Sequence, residues 1–238
     1  MSELKQMLDK RVWAPVMGGK LSAMQRATTI RSSMFLKQKN NPDGSFHKLK
    51  ARLVAGGDQQ DKSLYEDLSS PTVSTSAVFA LLAVAAHEKR QVAVVDISGV
   101  YLNADMSLEA PVHMRLDSTM TDLILDIDPK YSEYTDARGG VTVHLKKALY
   151  GCVESSGLRY KNLYATMLGL GYIRNICVFN RTGPDGHQCT VAVHVYGLNR
   201  GLGRRNESWL DGERKAEGRR KATLLGQRCD YRLQLKNR

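Results

Sequence analysis

The alternation of apolar and polar residues predicts a β-hairpin near the start of the chain. Residues 29–37 and 45–54 both have strand-forming composition, and they flank the tetrapeptide N-P-D-G at 41–44. Proline fixes φ at the corner of a turn, and glycine accepts a positive φ at its end. We therefore expect two antiparallel strands joined by a tight turn over residues 29–54.

The second strand of this hairpin carries a cation at every other position. Lys48, Lys50 and Arg52, which we call the basic stripe, point to one face of the strand because they are two residues apart. Leu49 and Leu53 point to the other face. A cationic stripe backed by an apolar face suits phosphate binding, but a strand face in contact with water explains the same pattern. Periodicity leaves both interpretations open.

Further along the chain, helical and strand-like segments alternate. Helical patterns occur at residues 2–10, 74–88 and 148–168, the second of which is rich enough in Ala, Leu and Val to predict a buried helix. Strand composition occurs at residues 92–95, 112–116, 141–145, 172–180 and 188–195. The run at 92–95 is typical of a strand covered on both faces. This order predicts an α+β fold with an antiparallel sheet.

Positive charge is concentrated at the C-terminal end. The 238 residues carry a formal net charge of +11, and residues 199–238 hold twelve basic and five acidic residues, which gives +7 of that total. This segment contains no Ile, Val or Phe, so it buries too little apolar surface to offset its chain entropy. We predict a disordered basic tail over residues 199–238 and a folded domain over residues 1–198.

Composition argues against a membrane or secreted protein. The longest apolar run, at residues 77–86, is roughly half of what a bilayer requires, and the first residues lack the apolar stretch of a secretory signal. The four cysteines are scattered without a C-x-x-C pair, as expected of free thiols in a reducing compartment. We expect an intracellular protein, cytoplasmic or nuclear, whose basicity permits a nucleic-acid partner.

An aspartate follows directly after the apolar run at 92–95. A carboxylate at the end of a buried strand can hold a hard cation such as Mg²⁺ through its oxygens. Aspartate is also a favoured helix N-cap, so Asp96 also fits the start of a helical turn. The residues alone leave both roles open.

Four motifs in a fixed order give the chain a specific resemblance. They are K-A-R-L-V-A-G-G at 50–57, S-P-T-V at 70–73, V-D-I-S-G-V-Y-L-N-A-D-M at 95–106 and L-K-K-A-L-Y-G-C at 145–152. Together they resemble the reverse transcriptase of copia-type retrotransposons, an RNA-directed DNA polymerase, over residues 1–198. The resemblance implies a right-hand polymerase fold, here a fragment with the fingers and part of an antiparallel palm.

The resemblance implies metal and sugar contacts in the palm. Asp96 resembles the first palm aspartate, a ligand of the catalytic Mg²⁺ ions, and the backbone carbonyl of Ile97 would assist it. Tyr101 resembles the aromatic residue that screens the sugar 2′ position of the incoming nucleotide. The implied partners are a deoxynucleoside triphosphate and an RNA or DNA template-primer, whose 3′-hydroxyl attacks the α-phosphate between two Mg²⁺ ions.

The resemblance also implies contacts to the triphosphate and the template. The basic stripe resembles the fingers strand that contacts the triphosphate, and Tyr150-Gly151 resembles the start of a template-contacting motif. The family usually continues this motif with Gln, Ser or Ala, Pro and a Trp-Tyr pair. This chain has V-E-S-S at 153–156 and Arg159-Tyr160 instead, so its motif is divergent.

The last hairpin lacks the acidic pair that the resemblance implies. Two adjacent aspartates are expected there, and this chain has Tyr196 and Gly197 at those positions. A phenol and a hydrogen do not replace two anionic ligands, and metal charge stabilisation lowers such barriers by several kcal/mol. We therefore expect little or no polymerase activity.

The residues after Gly197 suggest how the acidic pair was lost. One possible coding of residues 200–205 is CGT-GGC-CTC-GGT-AGA-CGA, which reads V-A-S-V-D one base later, as the family typically continues. Our hypothesis is that the reading frame slips near codon 196 and that the residues beyond are out-of-frame translation. Two alternatives stay open: a non-catalytic nucleic-acid-binding remnant, and a non-functional product of a decayed element.

Overall fold

The computed structural model describes residues 2–65, 68–95, 97, 99–108, 110–184, 186–194 and 222–226. The chain divides into two compact units. The first unit comprises Met1–Ser70 and Gly99–Asn162, and the second comprises Pro71–Ser98 and Leu163–Arg238.

The described residues form helices and strands in the following order. The helices are α1 (Ser2–Asp9), α2 (Ala23–Ala27), α3 (Thr75–His87), α4 (Ser118–Leu125) and α5 (Ser155–Gly169). The strands are β1 (Trp13–Val16), β2 (Ile30–Asn40), β3 (Phe46–Ala55), β4 (Gln91–Val95), β5 (His113–Leu116), β6 (Val141–Leu145), β7 (Ile173–Asn175), β8 (Val178–Thr182), β9 (Gln188–Val193) and β10 (Ala222–Gly226). Short 3-10 helices include Gly57–Gln59, Lys62–Leu64 and Val100–Asn103.

The first unit is built on a five-stranded sheet with the order β1-β6-β5-β2-β3. The β2–β5 pair is parallel and the other pairs are antiparallel. Along β6, Val141, Val143 and Leu145 alternate with polar residues and are fully buried. Leu4 and Met7 of α1 share one helix face and join the same core. The apolar residues that recur at every second position along β6 and those that share one face of α1 therefore pack in the same apolar cluster.

The predicted hairpin over residues 29–54 is confirmed as β2 and β3. Its turn is closed by the Asn41 N–H, which donates to the Ser45 carbonyl at 2.8 Å, and Gly44 has a φ of 86°. The Asp43 carboxylate accepts hydrogen bonds from the Ser45 hydroxyl and N–H, which lower the pKa of Asp43. The residue types at 41–44 therefore predicted the position of the turn correctly.

The second unit contains an antiparallel sheet with the order β4-β10-β9-β8-β7. A small cluster around Phe179 and Met167 covers part of it, and a separate cluster lies around Val73, Cys177 and Ala192. The predicted hairpin between the last two strands is confirmed as β8 and β9. The predicted single strand at 172–180 is wrong, because a turn with Ile176 at a φ of 49° divides it into β7 and β8.

Two burial predictions in the second unit are wrong. The helix predicted over 74–88 exists as α3, but Phe79 is 66% exposed. The strand predicted over 92–95 exists as β4, but Val92 and Val94 are 46% and 51% exposed. In both cases the sequence composition favoured burial. Among the described strands, β4 lies at the edge of its sheet and pairs with β10 on one side.

One helix begins later than its pattern predicts. The periodic segment 148–168 becomes helical at Ser155, the first residue of α5. Gly151 has a φ of 95°, which a right-handed helix does not accommodate, so the chain turns before the helix begins.

The architecture is mixed, with helices and largely antiparallel sheets, and it is compatible with the predicted α+β class. β10 lies within the segment 199–238, and its backbone pairs with both β4 and β9. The other residues of that segment lie outside the described residues, so the disordered tail and the boundary at 198 stay predictions. Among the described helices, none has the length and apolar character needed to cross a bilayer.

Candidate functional site

The end of β3 contacts the loop that follows β6. The Ala55 N–H donates to the Tyr150 carbonyl at 2.7 Å. A Cβ at Gly151 would lie 2.1 Å from the Ala55 carbonyl oxygen, and a Cβ at Gly57 would lie 2.0 Å from the Gly151 oxygen. The two backbones can approach this closely because neither glycine has a side chain.

Two tyrosines and two arginines form a continuous stack beside this contact. The ring centroids of Tyr101 and Tyr150 lie 4.6 Å apart, with an angle of 59° between the ring planes. Cζ of Arg52 lies 4.9 Å from the centroid of Tyr150, and Cζ of Arg159 lies 5.7 Å from that of Tyr101. We call Arg52, Tyr150, Tyr101 and Arg159 the aromatic stack. Each guanidinium lies within the range at which a cation is attracted by the face of a ring.

Each member of the aromatic stack is positioned by a different element. Arg52 belongs to β3, and Tyr101 belongs to the 3-10 helix Val100–Asn103. That helix ends at Asn103, whose side-chain oxygen accepts a hydrogen bond from the Lys10 ammonium at 2.8 Å. Arg159 is buried in α5 and donates a hydrogen bond to the Ser70 hydroxyl. The stack therefore joins segments that are distant in the sequence.

A second network holds the loop between Tyr150 and α5. The Gln60 side-chain carbonyl accepts a hydrogen bond from the Val153 N–H at 2.8 Å, and its amide donates to the Tyr65 hydroxyl at 2.8 Å. The Ser155 hydroxyl accepts from the Leu149 N–H at 3.1 Å. These bonds fix the segment in which the sequence departs from the pattern that the resemblance implies.

Two buried ionisable groups lie in the same loop. Burial raises the pKa of the Cys152 thiol to about 12, so this thiol is neutral and unreactive. Burial also raises the pKa of the Glu154 carboxyl, against the opposing effect of Lys161. Among the described residues, Oε1 of Glu154 has no hydrogen-bond partner. The loop thus carries an acidic group that burial favours in its neutral form.

The structure brings together four of the residues that sequence reasoning assigned to the site. Arg52, Tyr101, Tyr150 and Gly151 lie at the aromatic stack or in the backbone contact beside it. Lys48 and Lys50 lie on the same face of β3 as Arg52, and they are exposed on the part of the strand nearer the turn.

The remaining predicted site residues belong to the second unit or lie outside the described residues. Ile97 is half-buried and falls within the second unit. Asp96, Tyr196 and Gly197 lie outside the described residues, so their predicted roles stay predictions. In the part of the chain that the structure describes, no group of three or more His, Cys, Asp or Glu side chains is arranged to hold a metal ion.

Sequence reasoning missed Gly57 and Arg159 as members of the site. Gly57 lies in the G-G pair of the first quoted motif, and Arg159 stands where the resemblance implies Trp. The partners of both residues are far away in the sequence, so no local pattern indicates these contacts. The replacement of the expected Trp by Arg159 was the one feature of the sequence that could have drawn attention to this position.

Comparison with known proteins places these residues in a family. A family model described as reverse transcriptase (RNA-dependent DNA polymerase) matches residues 21–196, which is more than half of the chain. The chain belongs to this reverse transcriptase family. The resemblance drawn from the four motifs is therefore confirmed at the level of the family.

Two curated relatives of this reverse transcriptase domain come from Arabidopsis thaliana. The retrovirus-related Pol polyprotein from transposon RE2 is 25% identical over 187 residues, which cover 73% of this chain. The corresponding polyprotein from transposon RE1 is 24% identical over 185 residues, or 72% of this chain. The matched region spans 12% of each relative's length. No solved structure gives a significant match.

Proposed function

We propose that this reverse transcriptase domain keeps the part of the fold that contacts a nucleotide and lacks polymerase activity. In this proposal Tyr101 screens the sugar of a deoxynucleoside triphosphate, the basic stripe contacts its phosphates, and Tyr150-Gly151 contacts the template. The observation that supports the proposal most is the aromatic stack. Arg52 and Tyr101, which the resemblance assigns to the incoming nucleotide, come from separate segments, and both contact Tyr150, which it assigns to the template.

The proposed loss of activity rests on the ligands needed for Mg²⁺. Two divalent ions beside a triphosphate need several carboxylate oxygens. Of the three positions at which the family supplies them, this chain has a carboxylate at Asp96 alone, with Tyr196 and Gly197 at the others. The Ile97 carbonyl adds an uncharged oxygen. This donor set does not suit a two-metal site, and we assign no step of polymerisation to it.

The position at which the family match ends supports the reading-frame hypothesis. The match extends to residue 196, the codon near which we place the slip. We propose that the chain is encoded by an element whose downstream sequence is read out of frame. We further propose that the protein is intracellular, in the cytoplasm or the nucleus. Sequencing the locus tests this: a single insertion or deletion should restore a V-D-D hairpin followed by an apolar segment. A locus with no such restoring change would contradict the hypothesis.

Primer extension tests the proposed loss of activity. The unmodified chain is incubated with Mg²⁺, a homopolymeric RNA template, a DNA primer and the complementary deoxynucleoside triphosphate. We expect no Mg²⁺-dependent extension. The control is Asp96→Asn, which removes the remaining carboxylate. Extension by the unmodified chain that disappears in this variant would show an active polymerase and refute the proposal.

A further inference from the structure

The sheet of the second unit contains a position that the neighbouring sequence does not fill. β9 pairs with β8 along one edge and with β10 along the other. Residues 194–221 separate β9 from β10 in the chain, although Val193 and Ala222 lie directly opposite each other. β10 also pairs with β4 along its whole length. The position between β4 and β9, which we call the strand slot, is therefore filled by a distant segment.

Burial of β9 explains why the strand slot needs an occupant. Thr190, Val191 and Ala192 are buried, so the backbone groups on both edges of this strand lie away from water. Buried N–H and C=O groups are almost always paired, because an unpaired one costs the free energy of its desolvation. β8 pairs with one edge of β9. The other edge requires a second strand.

The attachment of β4 depends on the same occupant. Among the strands that the structure describes, β4 pairs with β10 alone. An empty strand slot would therefore deprive β4 of this partner. β4 ends at Val95, directly before Asp96 in the sequence. The occupant of the strand slot thus connects the strand that precedes the predicted metal ligand to the rest of the sheet.

The sequence after β9 does not provide the adjacent second arm that the resemblance implies. An apolar segment is expected there, but charges recur throughout residues 200–221, which contain no run of five uncharged residues. Residues 222–226, A-T-L-L-G, are the first such run after Arg200. Charged side chains are depleted inside proteins because burial removes their hydration. Residues 222–226 are therefore the first segment suited to a central strand.

We propose that residues 222–226 replace the missing second arm of the last hairpin and close the sheet of the second unit. In this proposal the strand slot binds an extended segment through its backbone, and the occupant belongs to the same chain. The segment beyond the proposed slip in the reading frame thereby has a structural role. Backbone pairing needs neither a metal ion nor Asp96, so the proposal is independent of the proposed loss of activity.

Tethering favours the strand of the same chain over that of a second copy. Because Val193 and Ala222 are opposite each other, residues 194–221 join two neighbouring points of the sheet. A connection of this kind gives the tethered strand an effective concentration that is roughly millimolar. A second copy at micromolar concentration therefore competes poorly for the strand slot.

An engineered disulfide tests the position of residues 222–226 in the full chain. Val94 lies opposite Thr223 in the register, and the Cβ atoms of opposed residues are about 4.5–5.5 Å apart, close to the separation in a disulfide. In a Cys229→Ser background with oxidised glutathione, we expect Val94→Cys/Thr223→Cys to form an intrachain disulfide about tenfold faster than Val94→Cys/Leu224→Cys, which is one residue out of register. The other native cysteines are buried: Cys152, Cys177 and Cys189.

The disulfide products distinguish the possible occupants of the strand slot. Non-reducing gel electrophoresis and mass spectrometry of the peptides identify each product. Equal rates for the two cysteine pairs would show that residues 222–226 do not occupy the slot in this register. Disulfide-linked dimers as the main product at micromolar chain concentration would assign the slot to a second copy. Either result overturns the proposal.

Hydrogen exchange tests whether the occupant holds the sheet together. Leu224→Pro removes a backbone N–H from the centre of β10, so we expect amide exchange in β4 and β9 to become at least about tenfold faster, with β6 of the first unit unchanged. Leu233→Pro, beyond β10 in the sequence, is the matched control and should leave all three strands unchanged. Unfolding of the whole second unit by Leu224→Pro alone would also support the proposal. Equal exchange in β4 and β9 of the unmodified chain and both variants would overturn it.

Discussion

The two units each contain a five-stranded sheet, but they bury their apolar residues to different extents. In the first unit one cluster runs from α1 through the sheet to α4, and Met114 and Val143 within it are completely buried. In the second unit Phe79 of α3 and Val94 of β4 are more than half exposed, and Val78 and Leu81 of α3 are only partly buried. The first unit is therefore the better-packed part of the described chain.

This contrast separates the residues of the proposed nucleotide contacts from those of the proposed loss of catalysis. The aromatic stack and the basic stripe both lie in the first unit. Asp96 and the positions of the missing aspartates fall within the residue ranges of the second unit. Under the proposed function, loss of the aspartates therefore removes catalysis without altering any side chain of the aromatic stack or the basic stripe.

Replacing a glycine by alanine is expected to give the largest difference between the two units in the free energy of unfolding. Gly151→Ala in the first unit places a Cβ against the Ala55 carbonyl at a φ of 95°, so we expect a loss of about 3 kcal/mol or more in the free energy of unfolding. Urea unfolding monitored by Trp13 fluorescence, in a Trp209→Phe background, measures it, since Trp13 is buried in the first unit. Gly169→Ala, with open space around its Cβ, should instead be neutral or stabilising by up to about 1 kcal/mol. Similar losses in both variants would contradict the proposed backbone contact.

A matched pair of strand valines measures the difference in packing directly. Val143→Ala removes a fully buried side chain, and we expect it to cost about 2 kcal/mol. Val94→Ala truncates a side chain that is 51% exposed, and we expect a change of about 0.5 kcal/mol or less. Urea unfolding of each variant gives both values. If Val94→Ala is as costly as Val143→Ala, the second unit is better packed than its exposed side chains indicate.

Local patterns in the sequence predicted the first unit better than the second. Turn chemistry at 41–44 and alternation along residues 141–145 identified the hairpin and β6, because both features depend on neighbouring residues. Burial in the second unit was predicted from apolar composition and was wrong for α3 and β4. Apolar composition indicates that a segment prefers to be buried, whereas its actual burial depends on which other segments cover it.

The candidate site could be predicted in part. The motifs identified Arg52, Tyr101 and Tyr150, and the structure places these residues in contact. Sequence could not indicate that Arg159 completes the stack, because that contact depends on where α5 begins. It also could not indicate that Lys37 and Lys39 lie opposite Lys50 and Lys48, since this depends on the register of the two strands.

The next largest effect concerns arginines that lie over aromatic rings. Arg159 is buried over Tyr101, and we expect Arg159→Met to lower the free energy of unfolding by about 2 kcal/mol. In the second unit Arg174 lies 5.1 Å from the centroid of Tyr164 and is exposed, so Arg174→Met should cost about 0.5 kcal/mol. Ser70→Ala separates the hydrogen bond of Arg159 from its ring contact. If Ser70→Ala alone reproduces the whole effect of Arg159→Met, the ring contact contributes nothing.

The smallest expected effect is a pH dependence in the first unit. His113 and His144 lie opposite each other on β5 and β6, and their ring centroids are 5.0 Å apart. Burial, and then the nearby Lys146 ammonium, lower the pKa of both rings. Because the unfolded chain takes up these protons near the ordinary pKa of about 6.5, stability should begin to fall as the pH drops through that value. The loss stops growing once the pH is below the folded-state pKa.

Replacing one ring tests this pH dependence. We expect His113→Gln to flatten the dependence of the urea midpoint on pH between about 7 and 5, because one of the two displaced titrations is removed. The pair of Asp136 and Arg115 does not interfere, since Arg115 holds the pKa of Asp136 at about 2 and its contribution is lost only below the ordinary aspartate pKa of about 3.9. His87→Gln, at an exposed ring in the second unit, is the matched control. Equal flattening in both variants would show that the pH dependence does not arise from the stacked pair. The two units would then not differ in how their stability depends on pH.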